Sequence, residues 1–309
     1  MSSKVWKKPR PDFRLNCRSV RLLVFASVLL LTASAALGSG SRRPRTATLV
    51  AAGDIASCSS TGDEATAALL DRLKGTVATL GDNAYDSGTA AEFASCYAPS
   101  WGRHKSRTRP AAGNHDYVTP GAAGYFGYFR AAAGDPRNGY YSYDLGEWHV
   151  VVLNSNCSSV GGCQAGSAQE QWLRTDLRSH RARCTLAYWH HPRFSSGPHG
   201  SDAMTQPLWQ ALYDAGADVV LNGHDHDYER FAPQTPSGVL DQRRGIREFV
   251  VGTGGRSHYT PAAAVANSQV ANGDTYGVLK LTLKPKSYRW QFMPVAGASF
   301  RDGGSASCH

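Results

Sequence analysis

Of 309 residues with a formal net charge of +9, the first 38 hold seven Lys or Arg and one Asp, so the remainder carries only +3. A mildly basic body without a clustered basic stripe excludes a nucleic-acid binder. Arg42-Arg43-Pro44-Arg45 reads as a flexible tether and the Arg103 to Arg109 stretch as a solvated loop. About 270 residues remain, ample for one α/β domain with a large core, and no internal repeat or long low-complexity linker divides them.

In chain order, the basic residues Lys4 to Arg21 precede an apolar run from Leu22 to Leu37, and small residues around Ala33-Ser34-Ala35 offer a cleavage site. The pattern predicts an export signal over residues 1–38, a basic tether over 39–46 and a folded domain over 47–309. The run is short for a membrane-spanning helix, which needs about 20 apolar residues; an uncleaved anchor is the alternative. The expected location is secreted or in the cell envelope, without membrane contact after cleavage. Cysteine usage agrees: beyond Cys17, the six residues Cys58, Cys96, Cys157, Cys163, Cys184 and Cys308 suit three disulfides in an oxidising compartment. Cys157 and Cys163 can close locally; Cys58 with Cys96 and Cys184 with Cys308 follow by elimination, although six cysteines admit many pairings. A zinc site lacks the close spacing it requires.

Within the domain, five short apolar runs each end on a residue able to bind a metal. Residues 48–52 lead into Gly53-Asp54, 77–80 into Gly81-Asp82, and 110–112 into Gly113-Asn114-His115. Later, 185–189 lead into His190-His191 and 219–222 into Gly223-His224-Asp225-His226. Buried strands followed at once by polar loops place ligands in one crevice beyond the strand ends of an α/β sheet. Capping boxes at Thr61 to Glu64 and Ser167 to Glu170 predict two helices. A third runs from about Gln206 to Ala215 with Pro207 in its first turn. Residues 139–145 and 148–153 flank Gly146-Glu147 as a hairpin, and 249–251, 276–283 and 288–292 read as further strands. Strands interleaved with helices early and antiparallel strands late predict a four-layer α/β/β/α sandwich of two mixed sheets flanked by helices.

Gly53-Asp54, Gly81-Asp82-Asn83-Ala84-Tyr85, Gly113-Asn114-His115-Asp116, His190 and Gly223-His224-Asp225-His226 resemble the successive motifs of calcineurin-like metallophosphoesterases, over about residues 48–255. Most of that superfamily reads Asp-x-His at the first motif; here Asp54-Ile55-Ala56 lacks the His, and Tyr85 follows Asp82 by three residues, as in purple acid phosphatases. The resemblance implies Asp54, Tyr85 and His226 on a ferric ion, Asn114, His190 and His224 on a divalent zinc, manganese or iron ion, and Asp82 bridging the two. Phenolate and carboxylates suit a hard trivalent ion, amide oxygen and imidazoles a divalent one. It further implies that His115 and His199 bind phosphate oxygens and protonate the leaving alkoxide. The activity expected is hydrolysis of small phosphate monoesters by a metal-bound hydroxide. A phosphodiesterase acting on nucleotides or lipid headgroups and a non-catalytic phosphate- or envelope-binding protein are the rivals. An N-terminal β-sandwich domain like that of the large plant-type enzymes is not expected, so dimerisation through one is not assumed.

Each residue has a plainer reading. A lone Gly-Asp is usually a turn, a tyrosine usually a buried ring, and a His in a Gly- and Ser-rich loop usually exposed; the ordered set outweighs these. His191 and Asp225, by strand alternation, are expected to point away from the metals. Asp116 is expected to orient His115, His149 to be structural, and the Tyr125-Phe126 and Tyr140-Tyr141 clusters to be core. His258 stays unassigned.

Overall fold

The computed structural model describes residues 45–309; the expected export signal and most of the tether lie outside the described residues. Strands β1 (Ala47–Ala52), β2 (Ala56–Ser57), β3 (Thr76–Leu80), β4 (Ala84–Tyr85) and β5 (Thr108–Ala111) come first, with helices α1 (Gly62–Arg72) and α2 (Ala90–Glu92) among them. Helix α3 (Ala123–Phe129) leads to β6 (Tyr141–Leu145) and β7 (Trp148–Val152), after which α4 (Ala168–Ser179), β8 (Cys184–Tyr188), α5 (Gln206–Asp214) and β9 (Val219–Asn222) alternate. Then come β10 (Tyr228–Phe231), β11 (Arg247–Val251), β12 (Ser268–Asn272), β13 (Gly277–Lys284), β14 (Ser287–Pro294) and β15 (Gly303–Ser307).

Two mixed sheets result. One has the order β15-β14-β13-β1-β3-β5, the other β12-β10-β11-β9-β8-β7-β6. In the first, β1, β3 and β5 run parallel; in the second, β7, β8, β9 and β11 do. Alternation of side chains along these strands decides the layers. Val150, Leu186, Leu221 and Phe249 join Leu49, Val77 and Leu281 of the first sheet in one core, while Val151, Ala187, Val220 and Val250 turn the other way. That second face is covered by Leu173 and Leu177 of α4 and Leu208 and Leu212 of α5. The architecture is the expected α/β sandwich with helices outside. No helix among the described residues is long and apolar enough to cross a membrane.

Neither expected capping box closes, since the Glu170 carboxylate accepts from Gly166 N–H and not from Ser167. Thr61 precedes α1 but makes no side-chain cap; Ser167 caps α4 by accepting from Glu170 N–H. Helix α5 begins at Gln206 with Pro207 in its first turn, where a missing N–H costs nothing. Three disulfides form: Cys58–Cys96, Cys157–Cys163 and Cys184–Cys308.

Candidate metal centre

Parallel neighbours β1, β3 and β5 end at the same edge of their sheet, as do β8 and β9 of theirs. Asp54, Asp82, Asn114, His190 and His224 follow those ends within a few residues, so the two sheets face each other with their polar termini. The backbone must turn sharply there. Asp54, Asp82 and His224 all hold positive φ, at 60°, 48° and 76°, a conformation that costs free energy in any side-chain-bearing residue and clusters at functional sites. Gly81 and Gly223 let the turns close: an added Cβ would strike the His190 ring at the first and the Asp54 carboxylate at the second.

Tyr85 arrives by another route. Strand β4 pairs in parallel with β2, just beyond Asp54, and sets the phenol 2.9 Å from Asp54 Oδ1 and 2.9 Å from Asp82 Oδ2. His226 Nε2 lies 3.3 Å from the same hydroxyl. On the other side, His190 Nε2 is 3.0 Å from Asn114 Oδ1, 3.3 Å from Asp82 Oδ2 and 3.2 Å from His224 Nδ1. Asp82 thus touches both halves of the cluster. All seven residues named from the sequence come together, with Asp54, Asp82, Tyr85, His190 and His226 buried.

The hydrogen bonds outside the cluster choose which atoms face inward. His190 Nδ1 lies 2.9 Å from the Leu80 carbonyl, to which it donates, so Nε2 is the ring nitrogen that faces the cluster. Ser257 Oγ holds His226 Nδ1 at 2.6 Å, again freeing Nε2. Burial alone would depress His190, but the adjacent Asp82 carboxylate outweighs it and lifts the imidazole to about 9. Asp82, despite burial, is held well below the ordinary carboxylate range by His190. Burial, then Asp54 and Asp82, push the Tyr85 phenol well above 10. These groups want a cation among them. Carboxylate, phenol and amide oxygens with three inward imidazole nitrogens form a donor set that fits two metal ions, and Asp54, Asp82 and His190 offer ligand atoms within 4.8 Å of one another.

Two outer histidines flank the cluster. His115 Nδ1 is fixed 2.6 Å from the Asp86 carbonyl, leaving Nε2 4.0 Å from Asp82 Oδ2. His199 stands at the mouth with its ring 4.3 Å from that of His224.

Two expectations need correction, and a third needs an addition. His191 does not point away: β8 ends at Tyr188, so strand alternation stops, and its ring lies 4.4 Å from that of His224. Burial, then His190, depress it to about 3, and Ser155 Oγ holds its Nδ1 at 2.7 Å. Asp116 does not orient His115; it accepts from Gly113 N–H and the Asn83 side chain, and burial followed by Asp82 raises it to about 7. Asp225 does keep off the cluster but serves it, since its Oδ1 accepts from both the backbone N–H and Nδ1 of His199, at 3.0 and 2.9 Å. The motif that named His224 and His226 contained Asp225 between them. Period-two alternation hid its role, because residues 223–227 form turns, not strand.

Two other candidate clusters hold no ion by geometry or chemistry. His149 and His180 stack with planes 7° apart and centroids 4.4 Å apart, so their in-plane lone pairs do not converge. Cys184 and Cys308 beside Asp218 are joined to each other.

A sandwich of two mixed sheets whose opposed strand ends gather aspartates, an asparagine and histidines defines a metallophosphoesterase-type protein. Residues 47–228 match the calcineurin-like phosphoesterase family, and the chain belongs to it. It is related to purple acid phosphatases: purple acid phosphatase 21 of Arabidopsis thaliana is 36% identical over 102 residues, 31% of this chain and 22% of that protein. An uncharacterised protein of Mycobacterium tuberculosis is 28% identical over 190 residues, 50% of this chain and 36% of that one. The chain thus spans well under half the length of these relatives. Among solved structures, the purple acid phosphatase PPD1 from yellow lupin shares the fold with TM-score 0.69 and 17% identity, covering 86% of this chain and 54% of that one. GAP50, the anchor in the inner membrane complex of Plasmodium, does so with TM-score 0.65 and 12% identity, covering 85% and 89%.

Proposed function

We propose that the protein is an exported binuclear phosphatase of purple acid phosphatase type, hydrolysing small phosphate monoesters. Asp54, Tyr85 and His226 would hold Fe(III), Asn114, His190 and His224 a divalent zinc, manganese or iron ion, and Asp82 both. The observation that carries the reading is the contact of Tyr85 with Asp54, Asp82 and His226, at 2.9, 2.9 and 3.3 Å. A phenol wedged between two buried carboxylates makes chemical sense as a ligand, because a cation converts that repulsive setting into a stabilising one.

Two such ions supply Lewis acidity to the phosphate oxygens and lower the pKa of a water. The chain's own residues do the rest. His115 and His199 each spend Nδ1 on an anchoring acceptor, Asp86 O and Asp225 Oδ1. Each therefore turns Nε2 to the mouth, His115 to a phosphate oxygen and His199 to the leaving alkoxide. Proton donation of this kind is typically worth about 10²–10⁴-fold.

A panel of phosphate monoesters and diesters run on metal-quantified protein tests the reading. Monoesters should be preferred, activity should disappear on chelation, and two metals should be found per active molecule. Faster turnover of diesters would favour a phosphodiesterase, and no turnover at all a phosphate-binding protein. Separately, the iron-loaded oxidised protein should show a charge-transfer band that Tyr85→Phe abolishes while circular dichroism is retained; a colourless wild type would remove Tyr85 from the ferric site.

A further inference from the structure

Beside the Asp54, Tyr85 and His226 half of the centre lies a depression of about 780 Å³ that the proposed reaction leaves unused. Ser59, Ser60 and Thr61 form one wall; Arg256, His258 and Tyr276 form the other. The second wall is built into the metal centre. Arg256 N–H donates to the Asp54 carbonyl at 3.0 Å, its guanidinium lies 5.2 Å over the Tyr85 ring, and the next residue, Ser257, anchors His226. An ester whose phosphate rests between Asp54 and Asp82 can lay its remaining part across Tyr85 into this depression.

The lining says what that part carries. None of its residues bears a carboxylate. Among the described residues the one ionic partner of Arg256 is Asp86 at 2.8 Å, whose side chain is 68% exposed, so the pair is weak and exchangeable. Among the described residues His258 Nδ1 is buried without a hydrogen-bond partner, and its ring packs on Tyr276 at 3.9 Å. Asp63, in the first turn of α1, is turned away to Ser100.

We infer that this depression is a subsite for a second anionic group, a phosphate or carboxylate at the far end of the leaving alcohol, with Arg256 as its specificity-determining residue. The substrate class is then a phosphate ester with two negative ends. This deepens the phosphatase reading and rests on it.

The test uses metal-loaded protein and linear alkyl phosphates of graded length ending in methyl, hydroxyl, carboxylate or a second phosphate. At one spacer length, kcat/KM for a charged end should exceed that for methyl on the order of tenfold, the scale of one charge-assisted hydrogen bond. Arg256→Met should bring the ratio near one, and Arg256→Lys should keep part of it. Ala65→Phe, which narrows the depression from α1, should lower the ratio toward one. Equal kcat/KM for charged and methyl ends at every length, or a preference that survives Arg256→Met, overturns the subsite. If no ester is turned over, the phosphatase reading fails instead, and calorimetry decides the subsite alone: matched alkyl bisphosphonates binding no tighter than monophosphonates would end it.

Discussion

The Asp225 carboxylate takes two hydrogen bonds from His199 and one from Ser195 Oγ, the last at 2.5 Å, and is fully buried while the imidazole it holds is 43% exposed. An exposed side chain in a loop samples several rotamers; anchored at Nδ1, this one keeps a single tautomer and direction. Asp225→Asn should therefore slow alkyl phosphates by about 10–100-fold, with metal content unchanged. Esters such as 4-nitrophenyl phosphate, whose leaving group departs without a proton, should lose far less. Equal losses on both substrates would mean that Asp225 merely supports the loop. Tyr259 makes a comparable demand on His226, lying parallel to it with centroids 4.1 Å apart.

Strand ends were legible in the sequence because each apolar run was short and stopped at a Gly or a ligand; Gly53-Asp54, Gly81-Asp82 and Gly223-His224 follow β1, β3 and β9 as expected. Loop bracing was not legible, since it depends on contacts between distant segments. Glu229 on β10 accepts from Ser196 N–H and Oγ, and Glu248 on β11 from Arg193 and Phe194 N–H, so two buried glutamates fasten the loop that presents His199. Nothing in local periodicity marks a glutamate in a strand as such a clamp. His149 is structural, as expected: from β7 it reaches Asp176 on α4 at 2.7 Å and Asp144 on β6 at 3.1 Å, with His180 stacked on it. Burial works against the charged imidazole, yet the hydrogen bonds to Asp176 and Asp144 win and raise His149 above its ordinary value. Asp176 is in turn held below the carboxylate range, burial being outweighed by His149. A raised folded-state pKa stabilises fully below the unfolded value of about 6.5 and is lost as pH climbs through the folded one; a depressed carboxylate stabilises above about 3.9 and is lost as pH falls through its folded value. The clamp is therefore strongest between those limits. His149→Gln should lower the melting temperature more at about pH 5.5 than at about pH 8.5, and an equal decrement at both would show that His149 acts through packing alone.

Across the whole molecule, the site exists only while two sheets stay in register, because Asp54, Asp82 and Asn114 come from one and His190, His224 and His226 from the other. Both sheets are paired face to face by apolar burial, which is non-directional and tolerates sliding. A covalent link limits that freedom. Cys184 opens β8 in one sheet and Cys308 follows β15, the edge strand of the other, closing a loop of 124 residues. A loop that long restricts the unfolded chain by about 4–5 kcal/mol in the chain-entropy account, with smaller measured effects common. The bridge also sits at the start of β8, whereas His190 lies past its end, on the order of 20 Å away at the rise of an extended strand. Stability and catalysis should separate accordingly. The double variant Cys184→Ala, Cys308→Ala should lose about 3–5 kcal/mol in urea unfolding. At low temperature, its folded fraction should keep wild-type kcat and metal stoichiometry. Cys58–Cys96 offers the contrast, since Cys58 borders the depression beside Arg256, and its removal should disturb turnover of doubly charged esters before it disturbs methyl-ended ones. A fall in kcat in the Cys184, Cys308 variant, with unfolding unchanged, would show instead that the bridge at the far end of the sandwich sets the geometry at the metals.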